Sequence, residues 1–351
     1  MQPFVYNALP SRVIFGAGTL AQAADELRAM GCSRALVLTT PQQRSAGEQL
    51  LEQLGDLAVG VYANATMHTP IDVTRDALAT VERCRADCVI ALGGGSTIGL
   101  GKAIALNTDL PQIVIPTTYA GSEATPIIGQ TENGLKTTQR TLKVLPEVII
   151  YDVELTLSLP AEMTVTSGLN AIAHAVEALY SKDANPLISM LAEQGIAAIA
   201  CALPRIHLNP GDVEARSDAL FGAWACGTCL GAVGMSIHHK LCHTLGGSFD
   251  LPHAQTHTVV LPHAVAYNAE AAPQAIARIA RALGTENAAQ GLFDLAKSLG
   301  VPTSLAQIGM KQSDVARATQ IACASPYWNP RPIEPGAIGE LLANAYAGNR
   351  P

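Results

Sequence analysis

Four short apolar runs between residues 34 and 118 constrain the fold of this chain more than any other feature. RALVLTT (34–40), LAVGVY (57–62), DCVIALGGG (87–95) and PQIVIPTT (111–118) read as strands. The stretches between them, 42–54, 71–86 and STIGLGKAIALN (96–107), read as helices. Strands that alternate with helices pair in parallel through crossover connections. Residues 1–159 are therefore expected to form a dinucleotide-binding α/β domain with a doubly wound, mostly parallel sheet. At Leu159-Pro160 the texture changes. Residues 160–351 are Ala- and Leu-rich and carry helical periodicity, from AEMTVTSGLNAIAHAVEALYS (161–181) through DVEARSDALFGAWACGTCLGAVGMSIHHKLCHTLGG (212–247) to NAAQGLFDLAKSLG (287–300). An all-helical substrate and catalytic domain is expected there, with a cleft between the two domains as the place for chemistry.

Composition narrows the function classes. The chain has 351 residues, of which 48% are hydrophobic and 15% charged, with a net charge of −7. That balance suits a folded enzyme, and without a Lys/Arg cluster it argues against nucleic acid as a partner. The start, MQPFVYNALPSRVIFG, has no basic segment leading into an apolar run, and the most apolar stretches look too short to span a bilayer. A cytoplasmic location with no membrane partner is expected. Eight cysteines in such a setting do not predict a disulfide framework. Cys226 and Cys229 form a CxxC, but inside a run of small residues that reads as a buried helix rather than a redox or zinc site.

Two loops carry phosphate-binding chemistry. GGGSTIGLGK (93–102) follows a strand and opens a helix. Glycines let the backbone approach a pyrophosphate closely, and the helix N-terminus favours its negative charge. The segment is neither GxGxxG nor a Walker A sequence. A second loop, PTTYAGSEATP (116–126), offers hydroxyls and a glycine to the nicotinamide ribose or the substrate. After the second strand, where a dinucleotide fold usually places an acid for the ribose 2′-OH, stand Thr39, Thr40 and Pro41. With no carboxylate to repel a 2′-phosphate, weak discrimination between NADH and NADPH is expected.

Histidines mark the second half. His239 and His243 are spaced i,i+4, His253 follows ten residues later, and His174 lies one turn beyond Asn170. A lone histidine usually belongs to the core, whereas four at such spacings point to one polar site. His68 and His207 have no such company, and His263 could serve either role.

These motifs resemble the iron-containing alcohol dehydrogenase family over essentially the whole chain, and in particular its maleylacetate reductase branch. The resemblance implies the dehydroquinate synthase-like architecture described above and an NAD(P)H-dependent oxidoreductase acting on the C=C bond of maleylacetate in the degradation of aromatic compounds. The family's metal ligands fall at Asn170, His174, His239 and His253, and its extra active-site histidine at His243. The cofactor loops fall at Gly93, Gly94, Gly95 and Ser96, and at Thr117, Thr118 and Ser122, with Thr40 nearby. Metal-dependent members carry Asp at positions 99 and 170 and PTTxGTGSE in the second loop; here stand Gly99, Asn170 and PTTYAGSE with Tyr119, as in the reductase branch. YWNPRP (327–332) also looks like that branch. A homodimer is implied by the family alone.

The replacement of aspartate by Asn170 removes an anionic ligand and should weaken binding of Fe²⁺ or Zn²⁺, so no metal is expected to be required. Hydride addition to a conjugated C=C places charge on the ketone oxygen as an enolate, which hydrogen-bond donors can stabilise. His243 or His253 is expected to stabilise the enolate or donate the proton, with His174, His239, Asn170 and Tyr119 positioning the substrate oxygens. A histidine cluster freed of metal and partly protonated would suit a dianionic substrate. Arg331 and Lys240 are weaker candidates for a carboxylate clamp. The alternatives are a metal-dependent (Fe or Zn) alcohol dehydrogenase and a dehydroquinate synthase-like lyase. The lyase lacks the lysine-rich phosphate site it would need, and a nucleotide sensor without catalysis would leave the histidines unexplained.

Overall fold

In the computed structural model, which describes residues 4–67, 69–132, 135–325 and 327–351, the chain divides into two compact units. One comprises Leu9–Leu159; the other comprises Pro160–Pro351 together with residues 4–8.

The first unit runs β1 (Arg12–Gly16), α1 (Ala23–Ala29), β2 (Ala35–Leu38), α2 (Arg44–Leu54), β3 (Ala58–Tyr62), α3 (Ile71–Cys84), β4 (Cys88–Gly93), α4 (Gly95–Thr108), β5 (Gln112–Pro116), β6 (Ile127–Glu132), β7 (Leu135–Arg140) and β8 (Val148–Asp152). Six strands form one sheet in the order β1-β8-β5-β4-β2-β3, every pair parallel. The four inner strands, β8, β5, β4 and β2, are buried on both faces, as a parallel sheet requires, while the edge strands β1 and β3 are only partly covered. On β2, Ala35 and Val37 pack with Leu27, Leu50, Ile90 and Ile113, while Leu36 and Leu38 pack on the other side with Ala77, Val81, Leu100 and Ile104. The edge strand β1, its neighbour β8 and the antiparallel β6–β7 hairpin are additions to the four strands read from sequence. The chain leaves β2 for the edge strand β3 and returns to β4 on β2's other side. That reversal makes the carboxyl ends of β2 and β4 the switch point where such sheets bind ligands.

Lys102 of α4 is completely buried. Its Nζ donates to Ser122 O at 2.6 Å, Thr125 O at 2.7 Å, Thr125 Oγ1 at 2.9 Å and Ile127 O at 2.9 Å. The lysine inside the first glycine-rich segment thus ties down the second loop rather than reaching for phosphate.

The second unit is helical: α5 (Ala161–Leu179), α6 (Pro186–Leu208), α7 (Val213–Ala232), α8 (Ile237–Phe249), α9 (His253–Asn268), α10 (Pro273–Leu283), α11 (Ala288–Ser298), α12 (Asp314–Cys323) and α13 (Pro335–Ala347). The long stretch 212–247 is not one helix. It breaks at Val233–Ser236, and α7 and α8 meet at 96°. Contrary to the expectation that no apolar stretch is long enough, α6 has the length and composition to cross a bilayer. It packs against α5, α7 and α10, and its Glu193 pairs with Arg278 and Arg281 of α10. Cys226 and Cys229 are buried in α7, and all eight cysteines are unpaired.

Candidate active site

In the first unit, the turn after β4 is built for close approach. Gly93 has φ +153°, and a Cβ there would meet Thr97 Oγ1 at 2.5 Å and Gln43 Oε1 at 2.7 Å. A Cβ on Gly94 would meet Thr118, whereas Gly95 faces open space. α4 begins at Gly95 with no side-chain cap, and the N–H groups of Thr97 and Ile98 donate to Gly94 O, so the anion-binding groups of this helix end are the earlier N–H groups of Gly95 and Ser96. Around this turn the hydroxyls of Thr39, Thr97, Thr118 and Ser122 are buried without a hydrogen-bond partner among the described residues. Buried hydroxyls left unpaired cost about 1–3 kcal/mol each, and a bound dinucleotide would satisfy them. Thr40 and Ser96 lie half-buried beside them, and Gln43 Nε2 donates to Thr117 Oγ1 at 2.9 Å. The residues present therefore fit a nicotinamide dinucleotide. Gln43, which no motif singled out, holds one loop to the other.

At Gly99, a Cβ would lie 2.3 Å from Thr69 Oγ1. Thr69 is buried and held in the left-handed region at φ 47°. The space that an aspartate would take at position 99 is already filled. Tyr119 is completely buried in this unit.

In the second unit, five histidines come together. Ring centroids are 5.2 Å apart for His174–His239, 4.8 Å for His238–His257, 5.1 Å for His239–His257 and 4.3 Å for His253–His257. His243 is solvent-exposed at the edge, 6.2 Å from the His239 ring. Asn170 and His174 are both buried on α5. His238 and His257 were not singled out by spacing, yet they sit at the centre of the group.

The anchor is Glu177, one turn after His174 on α5 and completely buried. Its carboxylate accepts from Ser236 N (2.9 Å), Ser236 Oγ (2.9 Å), His238 N (2.8 Å), His239 N (3.3 Å) and His239 Nδ1 (2.7 Å). A residue from another helix thus caps the first turn of α8, where N–H groups lack partners within the helix. Because a carboxylate only accepts, the proton of this last bond is on His239 Nδ1, and Nε2 is buried and without a partner among the described residues. His238 Nε2 donates to His257 O at 3.1 Å, which leaves its lone pair on Nδ1. His257 has neither ring nitrogen paired among the described residues.

Burial acts on Glu177 to raise its pKa. The hydrogen bond and charge of His239, the charge of His238 and the Ser236 N–H outweigh it and hold the carboxyl at about 2. The histidines move the other way. Burial first, then the charges of their neighbours, pushes His174 and His257 well below the ordinary histidine value, and His238 to about 4. The expectation of a partly protonated cluster fails for these three: they are neutral at pH 7, because the unit excludes the water that would solvate their charge.

The remaining candidates are not brought into the cluster. His207 is exposed at the end of α6, and His68 lies outside the described residues. Arg331 stacks on the Tyr267 ring at 4.3 Å and donates to Tyr267 O. With buried His263 it lines a separate cavity of about 300 Å³. Lys240 lies 5.6 Å over the Tyr327 ring.

The family's metal frame fits these residues poorly. Asn170 supplies a neutral amide in place of an anion, and among the described residues His174 Nδ1 has no outer partner to orient the ring. Among the described residues, the histidine nitrogens that converge are those of His238, His239 and His257.

Replacing Glu177 by Gln should destabilise the helical unit by on the order of 3 kcal/mol at neutral pH. A carboxyl whose folded pKa is depressed stabilises above its unfolded pKa and loses that effect as pH falls. The difference between wild type and Glu177→Gln should therefore shrink as pH falls from about 4.5 towards about 2. Urea denaturation of both proteins across that range measures it, and a pH-independent difference would contradict the assignment.

The family models of iron-containing alcohol dehydrogenase match residues 10–153, and that of the family's C-terminal region matches residues 164–346. The chain is 57% identical to maleylacetate reductase from Rhizobium sp. (strain MTP-10005) over 351 residues, the whole of both proteins. It is also 57% identical to maleylacetate reductase from Burkholderia cepacia, again over the full length of each. The crystal structure of maleylacetate reductase from Agrobacterium tumefaciens superposes with a TM-score of 0.97 at 59% identity, covering both chains fully. The six-stranded parallel sheet and the helical second unit agree with these matches. The chain belongs to the iron-containing alcohol dehydrogenase family, in its maleylacetate reductase branch.

Proposed function

We propose that this enzyme reduces the C=C bond of maleylacetate to give 3-oxoadipate, using NADH or NADPH and requiring no metal ion. The observation that carries the metal-free part of this reading is the donor set at Asn170, His174 and His239, which has lost the anion and keeps neutral hydrogen-bonding groups. When bound, the nicotinamide supplies a hydride. Gly93, Gly94, Gly95 and Ser96 would hold its pyrophosphate, and Thr117, Thr118, Ser122 and Thr40 would hold the riboses. His174, Asn170 and Tyr119 orient the carboxylate and ketone oxygens. His239 is fixed in the cluster through its Nδ1–H bond to Glu177. As the double bond takes the hydride, charge moves to the ketone oxygen, where donors aimed at it lower the barrier. His243 or His253 stabilises the enolate or delivers the proton that completes the reduction. Both lie at the accessible side of the cluster, one exposed and one half-buried. The eight unpaired thiols suit a cytoplasmic enzyme, and the family resemblance supports a homodimer.

The direct test is oxidation of NADH with maleylacetate before and after exhaustive chelation. Undiminished turnover is expected; loss of activity that Fe²⁺ or Zn²⁺ restores would favour the metal-dependent dehydrogenase instead. His243→Ala or His253→Ala should lower kcat by about 10²–10⁴-fold if that residue is the general acid. Near-wild-type kcat in both would remove them from the mechanism. Because Thr39, Thr40 and Pro41 place no carboxylate after β2, kcat/KM with NADH and NADPH should be of similar order; a preference for NADH of more than about a thousandfold would refute this.

A further inference from the structure

His257 is the most unusual titratable group in the helical unit. It is 1% exposed, and neither ring nitrogen has a hydrogen-bond partner among the described residues. Its ring lies within 5.1 Å of three other histidine rings, those of His238, His239 and His253. One ring nitrogen each from His238, His239 and His257 lie within 4.8 Å of one another, and all three residues are buried. The proposed reduction assigns no role to His238 or His257.

The hydrogen bonds around two of the three resemble those around metal-bound histidines. A ligating imidazole characteristically donates its other N–H to a carboxylate or a backbone carbonyl, which fixes its tautomer and aims its lone pair. His239 donates Nδ1–H to Glu177, and His238 donates Nε2–H to His257 O. Each has one of the two usual outer partners; the remaining nitrogen of His238, Nδ1, lies 3.5 Å from His239 Nδ1, inside the cluster. His174, by contrast, has no such partner at Nδ1 among the described residues.

We propose that His238, His239 and His257 form a neutral trihistidine site for a divalent transition ion of the Zn²⁺, Co²⁺ or Ni²⁺ class. Two of its three ligands lie outside the set that the family resemblance points to. Three imidazoles with an open fourth position suit such ions without any protein anion. Tetrahedral zinc at about 2.0–2.1 Å from each nitrogen holds its ligands roughly 3.4 Å apart, so side-chain rotations of about an ångström close the set. The ion would satisfy His239 Nε2 and one nitrogen of His257, which the protein leaves buried and unpaired.

The experiment titrates the chelator-treated full-length protein with Co²⁺ and reads the intense visible bands of low-coordinate cobalt, so that neither substrate nor turnover enters the test. Wild type should bind one equivalent. His257→Asn and His238→Asn should each lose affinity by at least about tenfold, and His174→Asn should stay within about threefold of wild type. Near-ultraviolet circular dichroism checks that each variant is folded, and His257→Gln replaces His257→Asn if the latter is not. Absence of the bands in wild type would overturn the proposal. So would their loss in His174→Asn with retention in His238→Asn and His257→Asn, since the ion would then occupy the family's frame.

Discussion

The arrangement of the helical unit depends on one buried carboxylate. Glu177 belongs to α5, but its partners are the backbone and side chains of Ser236, His238 and His239, 59 to 62 residues later. A charge taken out of water must be compensated by donors, and here the uncapped first turn of α8 supplies them. The same contact holds the start of α8, which leaves α7 at 96°, and decides which nitrogen of His239 carries the proton. Packing, helix direction and site chemistry therefore share a single anchoring point.

Against that fixed background, the change from carboxylate to amide at Asn170 alters charge without altering shape. The residue remains buried on α5 one turn from His174. What changes is the balance of charge within the pocket. With His174, His238 and His257 neutral and Glu177 already engaged, it offers oriented dipoles rather than a fixed cation. Developing negative charge on a conjugated ketone needs donors of that kind, and preorganised donors in a dry pocket act more strongly than in water.

Much of this was legible in the sequence, and the gaps have physical causes. Strands β2 to β5 announce themselves because each is an unbroken apolar run, the mark of a strand buried on both faces. RVIFG of β1 carries a mixed burial pattern and no such signal. The break at 233–236 hid inside a stretch rich in small residues, since Val-Gly-Met-Ser is compatible with a helix until Glu177 supplies the cap. Spacing found His174, His239, His243 and His253, because one-turn periodicity is a local property. It passed over His238 and His257, whose proximity exists only after α8 and α9 pack together. Glu177 itself reads as an ordinary glutamate in AHAVEALY, and nothing local distinguishes it from a solvent-facing residue. The neutrality of His174 escaped notice for a related reason: burial is a property of the fold.

The glycine at position 99 bears on which substitutions the chain can accept. Its missing side chain is not an empty socket, because the hydroxyl of Thr69 occupies the space, on backbone held in an unusual conformation. An aspartate at position 99 would need the threonine to yield at the same time, so the two positions can change only together.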